Sequence, residues 1–366
     1  MLRHVRVPRP AVLVSDGGTE QSKPSLAAVR ALAAGGYRPL VTVSGGLSLA
    51  AASRFCAGRV PVPSVHLSPD AFREAITKHL EHHDYVAVLP TGDRVIRELR
   101  LPSHELLDKG VLEERAPASG LRCPPSVRFA SGEELIRAAG DLDYPVVVKA
   151  AALRATRRVT GPDDLRHWRG APGPLLAQPF LTDPQHSVSG VIWDGRLVAS
   201  MHQRYLRMWP PDPGGAAAAV VSTDPDIAVE RRLLHLLREH EGPFQAQFRG
   251  EFLLDLNPRV STSLPLAVAS GVNLPAIYCD LRRGMDVPEL RGRPGVFYRW
   301  LDGDVRSVMW AWRRGRMSAR DALRALWPRP GTAHGPESLL DPGPTLARAL
   351  AARHKLAGLL RRPSAP

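Results

Sequence analysis

Lysine is nearly missing from this 366-residue chain: of 49 basic residues, five are lysine, at Lys23, Lys78, Lys109, Lys149 and Lys355. Cysteine is as scarce. Cys56, Cys123 and Cys279 are odd in number and far apart, which excludes a disulfide framework and fits no zinc spacing. Free thiols in a reducing cytoplasm are expected. No window reaches the roughly 18 uninterrupted apolar residues of a membrane span. The basic N-terminus lacks the apolar run of a signal peptide. A formal charge of +13 raises nucleic acid as a partner. The basic residues read as spread along the chain, with no Lys/Arg block and no aromatic-interleaved patch, which argues against nucleic acid. No Gly-x-Gly-x-x-Gly follows the first apolar run, so Asp16-Gly17-Gly18 is read as a structural turn. No Ser-His-Asp or Cys-His arrangement is evident.

What remains is a soluble, globular pattern, 44% apolar with a mean hydropathy of −0.16, long enough for two or three domains. Apolar runs and helical periods alternate at the start. Strands are expected at 11–15, 39–43 and 85–89, and helices at 25–34, around 49–57, and at 70–82, which gives a small doubly wound parallel sheet. Ser131 and Glu134 form a capping box for a helix through Ala139. Tyr144-Pro-Val-Val-Val-Lys149 is a short strand ending in lysine, and 174–181 another. A hairpin spans 187–200, and an amphipathic helix at 226–240 carries Ile227, Leu233, Leu234 and Leu237 on one side. The cluster His79, Glu81, His82 and His83 reads as a polar helix end, because adjacent helical residues diverge by about 100°.

The densest chemistry lies between Gln245 and Asn273. Two apolar runs, 244–248 and 252–256, flank a turn at Arg249-Gly250. Asp255 and Asn257 are two apart and share a strand face, and Gln247 on the partner strand reaches that face in a favourable register. Three oxygen-bearing side chains suit a hard cation that also takes phosphate oxygens. Arg259 follows, suited to holding an anion nearby.

At these residues the chain resembles the ATP-grasp superfamily, in the branch of carbamoyl-phosphate synthase large chain and related carboxylate–amine ligases. The resemblance rests on Gln247-Phe248, Asp255-Leu256-Asn257-Pro258-Arg259, the segment 261–269 and Gly271-Val272-Asn273. Asp255 stands where the family has Glu, one methylene longer. The resemblance implies an α/β ATP-grasp fold. Its parts would be a Rossmann-like domain at 1–105, a small α+β lid at 106–175, a metal-bearing subdomain at 176–290 and a mostly helical extension at 291–366. The extension has no assigned chemistry. It packs on the core, covers the acceptor site or binds a partner.

The resemblance also implies roles. Lys149 would contact the α-phosphate region of ATP, where a compact mobile charge suits a group that moves, and Lys109 would lie near the nucleotide from the other side. Gln178, Phe180 and Leu181 would border the adenine, with Pro179 in place of the usual Glu. Gln247, Asp255 and Asn257 would hold Mg²⁺ or Mn²⁺. Arg259 and Arg207, with Arg204 as the second choice by spacing, would stabilise an acyl phosphate. The family's glycine-rich loop after Lys149 is missing. Either Arg154, Arg157 and Arg158 replace its amides, or the lid is truncated. The implied activity joins a small carboxylate to an amine or similar nucleophile in the cytoplasm, with a homodimer left open. The alternative is a nucleotide-binding regulatory or partner-binding subunit without turnover.

Overall fold

The computed structural model describes residues 9–18, 22–150, 156–211 and 213–360, the last eight of these by backbone alone. They divide into two compact units. One joins Met1–Leu101, Arg259–Gly292 and Ala333–Pro366; the other joins Pro102–Pro258 and Arg293–Thr332. The segments 106–175 and 176–258 thus share a unit, while 259–290 falls in the other.

In the first unit, β1 (Ala11–Ser15), β2 (Arg38–Val43), β3 (Gly58–Pro61) and β4 (Val88–Pro90) form a parallel sheet of order β3-β2-β1-β4. Val12, Leu13 and Val14 are fully buried, as expected of a strand covered on both faces. α1 (Lys23–Ala34) starts at Ser22, whose Oγ accepts from the Ser25 amide at 3.3 Å, with proline in its first turn. α2 (Pro69–Glu81) buries Phe72 and Ile76, one turn apart. α3 (Asp93–Glu98) follows β4.

The helix expected around 49–57 is absent. The hydroxyls there compete with the helical ladder: Ser53 Oγ donates to Asp341 at 2.6 Å and accepts from the Phe55 amide at 3.2 Å. The strand expected at 85–89 starts later, at Val88, although Val86 and Ala87 still exchange backbone bonds with Ala11 and Leu13.

The second unit holds two antiparallel sheets. The smaller has the order β5-β8-β6-β7, from β5 (Val127–Ser131), β6 (Val146–Ala150), β7 (Thr156–Val159) and β8 (Pro172–Pro179). α4 (Lys109–Arg115) precedes it, capped by Asp108, and α5 (Gly132–Arg137) is capped by Ser131. The larger contains β9 (Gln185–Trp193), β10 (Arg196–Trp209), β11 (Gly215–Val221), β12 (Gly242–Arg249) and β13 (Phe252–Asn257), ordered β13-β12-β9-β10-β11. The strand Phe297–Arg299 continues it beside β11, with Tyr298 opposite Ala219. Part of the sequence beyond 290 is therefore woven into the sheet. α6 (Ile227–Leu236) covers one face, packing Leu233 and Leu237 against Phe244, Phe248, Leu253 and Leu256. Ile227, expected on that apolar side, is 40% exposed. It is the first residue after the Asp226 cap and lies at the edge of the covered face.

Candidate functional site

The face of the larger sheet opposite α6 is polar, and its register explains why. Asp255 pairs with Gln247, Gln247 with Ser187, and Ser187 with Gln203, which makes one polar row across four strands. One step along, Asn257, Gln245 and Ser189 form a second row. Side-chain contacts follow the rows. Asn257 Nδ2 donates to Asp255 Oδ2 at 3.2 Å, Gln247 Nε2 to Gln245 Oε1 at 3.2 Å, and Gln185 Nε2 to Gln247 Oε1 at 3.5 Å.

β13 carries a bulge. Phe248 pairs with Leu253 and Gln247 with Asp255, which leaves Leu254 as the extra residue. Its carbonyl accepts from Lys149 Nζ at 3.4 Å. Lys149 lies on β6 and is buried, and its ammonium is pushed down to about 8. Burial is the main cause and the Lys109 charge adds to it, while Asp255 and Glu113 act the other way. Lys109, in the first turn of α4, forms an ion pair with Asp255.

A cavity of about 160 Å³ collects these groups. Lys109, Lys149, Gln178, Phe180, Leu181, Gln247 and Asp255 all line it, together with Gln185 and Arg249. Asn257 sits beside it through Asp255. Gln178 Nε2 donates to Glu113 Oε1 at 2.7 Å, and the Phe180 amide donates to the Pro145 carbonyl at 3.1 Å. The Leu181 carbonyl accepts from Arg249 Nη1 at 2.7 Å. Arg158, on β7, stacks over the Phe180 ring at 3.8 Å. Arg157 is opposite Val148 on the same hairpin, and Arg154 lies outside the described residues.

Three expected site residues are not in the cavity wall: Asn257, which sits beside it, Arg207 and Arg259. Arg207 clamps Asp304, with Nε to Oδ1 at 2.5 Å and Nη2 to Oδ2 at 3.0 Å, and Asp304 is fully buried with Arg299 also at 3.0 Å. That is the geometry of an internal ion cluster. Arg204, the second choice, is exposed. Arg259, in the first unit, donates from Nε to Asp93 Oδ1 at 2.5 Å and from Nη1 to the Val260 carbonyl at 3.1 Å. Asn273 caps the helix Leu274–Arg282 and donates to the Ala31 carbonyl at 2.8 Å.

Sequence reasoning missed Gln185, Ser187, Ser189, Gln203 and Arg249. Their signal was a polar residue at every second position on neighbouring strands: Ser187-x-Ser189, Gln245-x-Gln247 and Asp255-x-Asn257.

Among the described residues no three His, Cys, Asp or Glu side chains gather as a metal cluster. One carboxylate flanked by two amides nonetheless fits Mg²⁺, which takes one or two protein carboxylates and fills its shell with water and phosphate oxygens. The Asp255 carboxylate already faces a cation, the Lys109 ammonium.

No protein-family model matches the chain. It is 28% identical over 246 residues to the carbamoyl phosphate synthase large chain of Thermotoga neapolitana, which covers 58% of this chain and 22% of that protein. To the large chain of Thermotoga petrophila it is 27% identical over 216 residues, or 50% and 19%. The chain therefore spans about a fifth of the length of these curated relatives. Its fold is similar to that of N5-carboxyaminoimidazole synthetase from Staphylococcus aureus, with a TM-score of 0.59 at 11% identity over 77% of this chain and 79% of that one. It is likewise similar to L-amino acid ligase from Bacillus licheniformis, with a TM-score of 0.56 at 14% identity over 77% and 75%. A third likeness is to the biotin carboxylase domain of Hydrogenobacter thermophilus 2-oxoglutarate carboxylase, with a TM-score of 0.56 at 16% identity over 78% and 73%.

Proposed function

We infer, from the premise that this is an ATP-grasp protein of the carboxylate–amine ligase branch, that the chain is an ATP- and Mg²⁺-dependent ligase. It activates a small carboxylate as an acyl phosphate and joins it to an amine. One observation carries the reading. Two of the chain's five lysines meet the polar row of Gln247 and Asp255 in a single cavity, beside Phe180 and Leu181.

In this reading a carboxylate oxygen attacks the γ-phosphorus, the bond to the β–γ bridging oxygen breaks and ADP leaves. The amine nitrogen then attacks the acyl carbon, inorganic phosphate leaves, and the nitrogen gives up a proton. Lys149 and Lys109 set cationic charge against the phosphates, where low dielectric strengthens it. Gln247, Asp255 and Asn257 would hold the metal, which when bound neutralises charge on the transferring phosphoryl group. Occupation requires Lys109 to leave Asp255, which frees its ammonium for a phosphate oxygen. Arg158 packs against Phe180 and closes that side of the base region. Arg259 is assigned to the acyl phosphate on its place after Asn257 alone. Arg207 is better assigned to holding Asp304 than to the reaction. A cytoplasmic location belongs to the same proposal, and a homodimer is compatible with it. No described helix is long and apolar enough to cross a membrane.

Two features favour nucleotide binding without turnover. Asp255 is already engaged by Lys109, and no glycine occurs between Lys149 and Gly161. Phosphate release with Mg·ATP against pools of carboxylates and amines decides between the readings. The ligase reading expects release that needs both a carboxylate and an amine and is lost in Asp255→Ala. Tight ATP binding with no release from any pool would leave the binding protein.

A further inference from the structure

The helical hairpin 301–327 of the second unit takes no part in the cavity. The helix Leu301–Arg313 packs Gly303, Asp304, Ser307 and Val308 inward, whereas the helix Ala319–Leu326 buries no residue. That second helix is nonetheless well started, because Ser318 Oγ accepts from the Asp321 amide at 3.1 Å and donates to the Asp321 carboxylate at 2.6 Å.

The even spread of arginine read from the sequence fails here. Arg313, Arg314, Arg316, Arg320, Arg324 and Arg329 fall within 17 residues that contain one carboxylate, Asp321, so six positive charges face one negative. None of the six is held in an ion pair among the described residues. Arg314 and Arg316 lie over Trp310 at 5.7 and 4.8 Å, and Arg329 lies over Phe297 at 4.5 Å. Large apolar side chains stand out between them: Leu323 and Trp327 are each 72% exposed, and Trp312 is 45% exposed. Leu323 lies on the helix Ala319–Leu326, and Trp327 is the residue that ends it, four positions on.

We propose that this hairpin is a docking surface for an anionic lipid bilayer, on which it lies without crossing. A short amphipathic helix rich in arginine, with Trp and Leu beside the charges, matches the interfacial mode, in which apolar side chains sink below the headgroups and guanidinium groups pair with lipid phosphates. Charge complementarity selects an anionic surface and disfavours a second copy of this chain, which would set like charges against each other. A nucleic acid would engage the arginines and could stack on the tryptophans, but it offers Leu323 nothing in return. A bilayer accommodates all three groups.

The full chain is tested by co-sedimentation with phosphatidylglycerol vesicles and with neutral phosphatidylcholine vesicles at low salt, with tryptophan quenching by brominated lipid as a second readout. Wild type should sediment with the anionic vesicles, lose that binding as salt rises, and be quenched. Arg313→Gln/Arg320→Gln/Arg324→Gln removes three charges that stack on no ring and should lower partitioning about a hundredfold. Leu323→Ser/Trp327→Ser should weaken vesicle binding and cut quenching to the part contributed by Trp312, while the circular dichroism and ATP affinity of the protein stay unchanged. Equal binding to both vesicle types, or none to either, overturns the proposal. So does anionic-vesicle binding that survives both sets of substitutions. Retention of random DNA without vesicle binding would show a nucleic-acid surface and overturn it equally.

Discussion

Nucleotide binding should draw a proton onto Lys149. In the free protein its ammonium is held at about 8 by burial and by the neighbouring Lys109, so about half the molecules carry a neutral amine at pH 8 and about nine-tenths at pH 9. A phosphate oxygen supplies the counter-charge that burial removed. If the group then returns to its ordinary value of about 10.4, binding takes up about 0.1 proton at pH 7, about 0.5 at pH 8 and about 0.9 at pH 9. Calorimetric titration with ATP at each pH, in two buffers of different ionisation enthalpy, counts these protons directly. Lys149→Met should bind more weakly and show no such rise with pH. The same shift has a consequence for stability. A lysine with a lowered folded-state value binds fewer protons than the unfolded chain, so its charge costs the fold about 3 kcal/mol. That cost is present in full below about pH 8 and fades as pH rises towards the unfolded value near 10.5. Lys149→Met should therefore raise stability at pH 7 while lowering affinity. Proton uptake that is flat with pH, or identical in Lys149→Met, would refute the reasoning.

Asp255→Ala should abolish Mg²⁺-dependent phosphate release and leave some metal-free nucleotide affinity; full turnover in the variant would remove the metal assignment. Asp255→Glu should be tolerated, and wild type should favour Mn²⁺ over Mg²⁺ if the shorter side chain is at the limit of its reach, which parallel assays with the two metals will read. Arg207→Ala leaves the buried Asp304 with Arg299 alone, so thermal or urea unfolding should show a loss of about 2 kcal/mol. A variant of unchanged stability but no turnover would return Arg207 to the chemistry. Arg157→Ala/Arg158→Ala should reduce catalytic efficiency roughly tenfold to a hundredfold if these groups close on phosphates, and unaltered steady-state kinetics would rule that out.

Much of the arrangement was legible because it is written in short periods. The buried strand 11–15, the Ser131 cap and the pairing of Asp255 with Asn257 each depend on residues within a turn or two of one another. What was not legible depends on partners distant in sequence. The helix expected at 49–57 is prevented by Asp341, almost three hundred residues away. Arg207 looked free for an anion because its partner, Asp304, follows nearly a hundred residues later. Gln203 joins the polar row through a strand register that only the assembled sheet defines. The arginine cluster of the hairpin, by contrast, was visible and was averaged away by counting charges over the whole chain.

The bulge at Leu254 puts the candidate site under arithmetic control. Leu253 and Leu256 both enter the core although an odd number of positions separates them, and Asp255 still reaches the cavity, because one unpaired residue resets the alternation between them. The count of residues between Leu253 and Asp255 matters more than the identity of the one inserted. Changing the side chain at 254 leaves its carbonyl in place for Lys149. Removing that single residue would leave Leu253, Asp255 and Leu256 in unbroken alternation opposite Phe248, Gln247 and Ala246, and would take away the carbonyl that accepts from Lys149. Tolerance to substitution at 254, alongside a one-residue deletion that keeps the fold and weakens the site, is the mark this strand should leave on any collection of its variants.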